Sequence, residues 1–225
     1  MSSAGHTSHA SLMDGIYRHQ RHVYDLTRYC YLLGRDRLIA DLDPPAGGSV
    51  LEVGCGTGRN LLAAATRYLD AHFFGFDIST EMLKTARRSI AATRMRDRIE
   101  VAEASALTFI PEQVFGRKEF DRIVFSYALS MMSGWQAALA GSLTMLAAGG
   151  KILIVEFGQC ESLPRWFKRG QFRWLDLFHV TPRADLETIM RALASSHGAR
   201  MEWQSLYRGY AWRANLILPQ LADRA

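Results

Sequence analysis

The stretch that most limits the fold is "SVLEVGCGTGRN", residues 49–60, an apolar run ending in glycines at alternate positions, Gly54, Gly56 and Gly58. An apolar run without polar alternation reads as a strand buried on both faces, as in a parallel sheet covered by helices. Glycines let the backbone turn sharply and let a ligand lie against it with no Cβ in the way. The helix that follows presents free N–H groups to the same ligand. The rhythm continues downstream. "HFFGFDI", "RIEVAEA", "FDRIVFSYAL" and "GKILIVEF" read as strands, and helix-like segments start near Gly58, Ser79 and Gly134. This is a βαβα alternation with right-handed crossovers. A further helix fits 182–196, and two last strands fit "RMEWQSLYR" and "YAWRANLIL". With 225 residues, 48% of them hydrophobic, the chain suits one well-cored domain.

Asp77 ends the second expected strand, nineteen residues past Gly58. A carboxylate there can accept hydrogen bonds from both hydroxyls of an adenosine ribose. A dinucleotide site normally uses G-x-G-x-x-G, whose amides hold a pyrophosphate. Here the spacing is G-x-G-x-G, and Glu52 stands inside the strand. An acid beside the turn repels pyrophosphate and attracts a cation. S-adenosylmethionine carries an ammonium and a sulfonium, and Glu52 can reach the ammonium directly or through a water. The charge pattern therefore favours this cofactor over a dinucleotide. Cys55 lies within the turn and reads as part of the cofactor floor, not as a nucleophile.

With Glu52, Gly54, Gly56 and Gly58 in an E-x-G-x-G-x-G pattern, the sequence resembles the class I S-adenosylmethionine-dependent methyltransferases. "FDISTEML" is similar to that family's second motif, implying Asp77 at the ribose and Ile78 and Met82 against the adenine. "AEASAL" resembles the third, implying that Glu103 accepts from the adenine amino group with Ala104 packed nearby; the family more often has Asp there. "FDRIVFSYAL" matches the fourth strand, whose end at Ser126 and Tyr127 would face the transferred methyl, and "LAAGGKILIVEF" follows in order. The implied fold class is α/β. It is a single Rossmann-like domain with a seven-stranded, mostly parallel sheet, helices on both faces and an N-terminal helical lid. The boundaries expected are a flexible tail at 1–11, the lid at 12–46, and a cofactor-binding core at 47–225 with an insertion at 160–180.

The lid stretch "YRHQRHVYDLTRYCYLLGRDR" is unusually rich in tyrosine and arginine. Read as one helix, Tyr17, Arg21, Tyr24, Arg28, Tyr31 and Arg35 form a single stripe, and Ile16, Val23, Leu26, Cys30 and Leu33 form an apolar stripe beside it that can dock the helix. Phenol faces attract an ammonium and arginines bind a carboxylate, so the stripe suits an amino-acid-like zwitterion. A solvated face with tyrosines over the core edge is the plainer reading. The region from "MDGIYRHQRHVYDLTRYCYLLGRDRLI", together with "FHVTPRADL", resembles the N-methyltransferase component of bacterial betaine lipid synthesis. In that family diacylglyceryl-homoserine is methylated three times. The resemblance implies that Tyr17, Tyr24, Tyr31 and Arg35 close over cofactor and headgroup. Among residues near the expected mouth, His179 can take an ammonium proton, and Arg183 can hold a carboxylate or phosphate. Arg21, Arg28 and Tyr127 complete the substrate-binding candidates.

"LPRWFKRGQFRWLDLF", residues 163–178, mixes aromatics with basic residues in the manner of an interfacial segment, or of a capping helix with its aromatics on the sheet. The 27 basic against 22 acidic residues lean toward an anionic partner. The partners expected are an anionic membrane surface, the lipid substrate and an enzyme supplying the homoserine lipid. Cys30, Cys55 and Cys160 show no paired spacing, the histidines show no metal spacing, and no apolar run spans a bilayer. The expected place is therefore the cytoplasm, peripheral to the inner face of the membrane, with no metal. Phosphatidylethanolamine and quinone-type acceptors remain alternatives, since "YDLTRYCYLLGRDR" is also similar to the first helix of quinone C-methyltransferases. So does a non-catalytic membrane-binding module, against which the intact Glu52, glycines and Asp77 argue. Nucleic-acid methylation is disfavoured: "FSYALS" lacks the Asn/Asp-Pro-Pro-Tyr/Phe motif that holds a flipped base.

Overall fold

The computed structural model describes residues 32–220. Strands β1 (Ser49–Val53), β2 (His72–Asp77), β3 (Ile99–Glu103), β4 (Phe120–Ser126), β5 (Leu146–Phe157), β6 (Arg200–Leu206) and β7 (Ala211–Ile217) form one sheet in the order β3-β2-β1-β4-β5-β7-β6. All pairs are parallel except β7 against β5 and β6. Helices are α1 (Arg35–Ala40), α2 (Arg59–Arg67), α3 (Thr80–Ala91), α4 (Pro111–Phe115), α5 (Trp135–Thr144), α6 (Arg165–Asp176) and α7 (Leu186–His197). The seven-stranded, mostly parallel sheet implied by the resemblance is present.

Every residue of β1 is buried, as its unbroken apolar run requires between two helical layers. Alternate strand residues feed different cores. Val50, Val124 and Leu153 join Leu61, Leu83 and Phe73 on one face, while Leu51, Ile123 and Ile152 join Leu139 and Met190 on the other. The edge strand β6 is mostly exposed or half-buried, which suits its polar alternation. Gly58 and Gly134 cap α2 and α5 in left-handed conformation, and the Ser79 hydroxyl accepts from the Met82 amide at the start of α3, so the helix starts fall where expected. The crossovers leave in opposite directions from β1 and β4. A crevice therefore opens at their C-terminal ends, where α/β sheets bind ligands.

Three readings change. Gly34, at φ +87, caps α1 and breaks the helical register before Arg35, so the stripe expected to run from Tyr17 through Arg35 does not reach Arg35 along one helix. For the same reason Leu33, expected to dock, is 36% exposed and Leu32 is buried instead. The helix expected over 182–196 begins at Leu186, because the Leu186 amide closes a turn on the Arg183 carbonyl first. Helix α4 had no counterpart in the sequence reading.

From Leu32 onward the expected lid is built into the core: Leu38, Ile39 and Leu42 are buried in the same cluster as Val50 and Phe73. Arg122, 7% exposed, fastens this segment. Its Nε donates to the Leu42 carbonyl at 2.6 Å, its Nη1 to the Asp121 carbonyl at 2.8 Å, and its Nη2 to the Asp43 carbonyl. Arg122→Met strands the Leu42 and Asp43 carbonyls. It should lower unfolding free energy in a urea titration by about 2–3 kcal/mol; an unchanged midpoint would show that the latch holds nothing.

Candidate active site

Beyond β1 the chain passes Gly54, Gly56 and Gly58 at φ +71, +53 and +72, angles at which L side chains are strained. The Gly54 and Cys55 amides donate to the Phe76 carbonyl at 2.9 and 3.0 Å, and the Gly58 amide to the Cys55 carbonyl at 2.9 Å. Space matters as well as angle. A Cβ on Gly54 would come within 3.1 Å of Ala128 Cβ and Met132 Cε, closing the gap between the turn and the end of β4.

Asp77 clasps this turn. Its Oδ2 accepts from the Gly56 amide at 2.8 Å and its Oδ1 from the Ser79 amide at 2.9 Å. A carboxylate accepts about four bonds, so the clasp is compatible with a ribose diol on the same group. Glu52, 3% exposed, sits under the turn, and its Oε1 accepts from Asn60 Nδ2 at 2.6 Å. Against the turn and Glu52 lies a cavity of about 330 Å³, lined among others by Leu32, Arg35, Glu52, Gly54, Cys55, Gly56, Arg59, Asn60 and Ser126. Ser126 Oγ is buried there and finds no hydrogen-bond partner among the described residues. Burial, then the charges of Asp77 and Glu52, push the Cys55 thiol well up, so it stays protonated.

The remaining cofactor candidates lie at the ends of β2 and β3 and in α3, and do not line this cavity. Asp77 is in register with Glu103, and the Ala104 amide donates to the Asp77 carbonyl at 3.1 Å, which places Ile78, Glu103 and Ala104 at one sheet end. Met82, 6% exposed, packs with Met131 and Phe178 and so forms a roof between α3 and the end of α6.

The acceptor-side candidates divide. Tyr17, Arg21, Tyr24, Arg28 and Tyr31 lie outside the described residues. Tyr127, expected at the substrate, is only 2% exposed. It stands at φ +55, with its ring 4.5 Å from that of Phe157 and its hydroxyl donating to the Leu33 carbonyl at 2.5 Å. It is a strut between β4 and the segment before α1, and burial followed by the charge of Glu156 keeps its phenol protonated. Arg183, expected to hold a substrate anion, serves a turn instead. Its Nε donates to the Leu129 carbonyl at 3.0 Å and its Nη2 to the Met132 carbonyl at 2.9 Å. Burial lowers its pKa. His179 is exposed just past α6 at φ +55, its amide donating to the Asp176 carbonyl, and no helix sets it one turn from Arg183.

Residues unmarked by the sequence reading also contribute. Asn60 and Arg59, in the first turn of α2, reach back over β1, as helix residues directly after a glycine turn must. Glu156, near the end of β5, is fully buried. Its Oε1 accepts from the Phe157 amide at 2.9 Å and its Oε2 from the Ser130 amide at 3.0 Å, and burial raises its pKa.

Residues 50–150 match a family model described as a methyltransferase domain. Together with the strand order, this match gives the chain the class I methyltransferase fold. The demethylmenaquinone methyltransferase of Clavibacter sepedonicus is 32% identical over 140 residues, covering 60% of this chain and 54% of that protein. The ubiquinone/menaquinone biosynthesis C-methyltransferase UbiE of Allorhizobium ampelinum is 28% identical over 151 residues, covering 64% and 56%. The chain thus spans about half the length of the curated relatives it matches. Among solved structures, a phosphoethanolamine N-methyltransferase of Haemonchus contortus, in complex with phosphomonomethylethanolamine and S-adenosylhomocysteine, superposes with a TM-score of 0.63 at 16% identity, over 83% of this chain and 52% of that one.

The residues present fit S-adenosylmethionine, the cofactor expected from the sequence. Gly54 leaves a cradle that a Cβ would fill, Ser126 Oγ is an unused polar atom in the cavity, and the buried Glu52 offers its charge to an ammonium. Asp77→Asn keeps the volume but turns an NH₂ donor toward one of two amide donors. S-adenosylmethionine affinity measured by calorimetry should fall by about tenfold to a hundredfold; unchanged affinity would contradict the role given to this carboxylate.

Proposed function

We propose that the chain transfers methyl groups from S-adenosylmethionine to an acceptor held in a lipid surface, and that the acceptor is the amino group of a diacylglyceryl-homoserine headgroup. The observation that supports a lipid-borne acceptor is the position of α6. It packs Phe167 and Trp174 onto the core cluster that also holds Leu32 and Cys55 of the cavity wall, while Trp166 stays 75% exposed. The amino headgroup is supported by the tyrosine- and arginine-rich stretch before residue 32 and by its resemblance to the betaine lipid enzymes.

When bound, S-adenosylmethionine would supply a methyl on a sulfonium: the acceptor lone pair, freed by loss of the amine proton to solvent, would form the new bond as the C–S pair withdraws onto sulfur. The protein's own work is placement and exclusion of water. Glu52 and Asn60 hold the ammonium end of the cofactor, and Arg35 and Arg59 line the same cavity with positive charge for its carboxylate. Asp77 holds the ribose while keeping the glycine turn in shape. Met82, Met131 and Phe178 form an apolar roof that keeps water from the sulfonium. Glu156 locks the Ser130 and Phe157 amides, so the chain ends behind the acceptor do not shift.

The relatives favour a second acceptor, a quinone-type ring carbon, and on sequence similarity that reading has the better support. Both acceptors are lipid-borne and would use the same mouth. Labelled S-adenosylmethionine offered with diacylglyceryl-homoserine or with demethylmenaquinol decides between them. The first reading expects label in the homoserine lipid, in products carrying up to three added methyl groups. Label in the quinone and none in the amino lipid would replace it with the second, and label in neither, with cofactor bound, would sink both.

A further inference from the structure

Helix α6 has two distinct faces. Leu175 is 1% exposed, and Phe167 and Trp174 pack on the core, with the Phe167 ring 6.4 Å from that of Tyr210. The aromatic content of residues 163–178 is therefore mostly structural. The outer ridge differs. Trp166 is 75% exposed, Arg169 and Arg173 follow at helical spacing and are exposed, and Leu177, just past the helix end, is 71% exposed. The two apolar ends stand about 16 Å apart along the axis, with the arginines between them.

A second element joins this ridge. In the turn between β6 and β7, Tyr207 is 53% exposed and is followed by Arg208, both in left-handed conformation at φ +52 and +62. The turn is tied to the start of α6, because the Cys160 amide donates to the Gly209 carbonyl at 2.8 Å and the Ser162 amide to the Arg208 carbonyl at 3.2 Å. On its other side it meets the cavity rim: a Cβ on Gly34 would lie 3.9 Å from Tyr207 Cε2, and the next residue, Arg35, lines the cofactor cavity. At the far end of α6, Phe178 packs on Met82 in α3. The exposed ridge is thus joined to the cavity rim through the turn at Tyr207 and to α3 through Phe178.

We propose that this face docks on an anionic lipid surface, with Trp166, Leu177 and Tyr207 entering the headgroup layer and Arg165, Arg169 and Arg173 on its phosphates. Separated apolar tips interleaved with guanidiniums match a flat surface that is anionic above and apolar below. They do not form the contiguous apolar patch that marks a protein interface core. Among the described residues no helix is long and apolar enough to cross a membrane, so this contact is interfacial. Docked this way, the cavity opens toward the bilayer, and an acceptor need only rise partly from it. The inference rests on the lipid-borne acceptor proposed above.

The test uses the full chain and vesicles that contain no methyl acceptor, so binding is read without turnover. Vesicles of phosphatidylcholine with phosphatidylglycerol should sediment the protein, and vesicles of phosphatidylcholine alone should do so far less. R169Q/R173Q should bind the anionic vesicles about thirtyfold more weakly. Trp166 should be quenched by brominated lipid, a signal lost in Trp166→Phe, and both variants should bind S-adenosylmethionine with unchanged affinity. Absence of binding by the unaltered protein, or equal binding by R169Q/R173Q, overturns the proposal. Methyl transfer to detergent-dispersed acceptor, measured separately, reports on the acceptor reading and not on the docking face.

Discussion

One carboxylate joins the two turns on which the site stands. Asp77 takes the Gly56 amide on one oxygen and the Ser79 amide on the other, linking the loop after β1 to the cap of α3. Parallel pairing brings Val53 level with Phe76, and the Phe76 carbonyl then receives both the Gly54 and Cys55 amides. The left-handed glycines, the start of α2 and the floor of the cavity all follow from these bonds. Close by lies Glu52, 3% exposed. Burying a charge is costly unless it is paired or hydrogen-bonded. Asn60 donates to this carboxylate, and a buried acid beside the turn suits a cofactor with an ammonium better than a pyrophosphate.

The glycine turn and its clasp were legible in the sequence because their determinants are local. A glycine at positive φ, an acid at a strand end and a serine cap each announce themselves within a few residues. The parts that were not legible depend on distant contacts. Tyr127 looked like a substrate residue, but its hydroxyl finds the Leu33 carbonyl 94 positions away. Arg183 looked like an anion binder until the Leu129–Met132 carbonyls, more than fifty positions away, claimed its guanidinium. Gly34 lay inside a convincing helical pattern, yet its left-handed angle, set against Leu206 and Val155, ends that pattern. Helix α4 is only five residues long, too short to show a period. Composition marked residues 163–178 as aromatic and basic, but only packing on Tyr210 decides which aromatics turn inward.

The same division separates shared chemistry from specificity. The family match ends at residue 150, before α6 and after the stretch that precedes residue 32. The part shared with the methyltransferase family model therefore includes the glycine turn, its acids and strands β1 to β4. The elements proposed to border the acceptor, α6 and the turn at Tyr207, come later in the chain. A fold that fixes the donor with backbone amides and two carboxylates leaves those elements free to change the acceptor without disturbing the donor.

The most direct test of the account is a crystal structure of the full chain with S-adenosylhomocysteine. The ribose hydroxyls should lie within hydrogen-bond distance of Asp77, and the amino group should lie over Gly54 with Glu52 within one water of it. A ligand bound elsewhere, or one whose ribose avoids Asp77 while the glycine turn keeps its shape, would contradict the account.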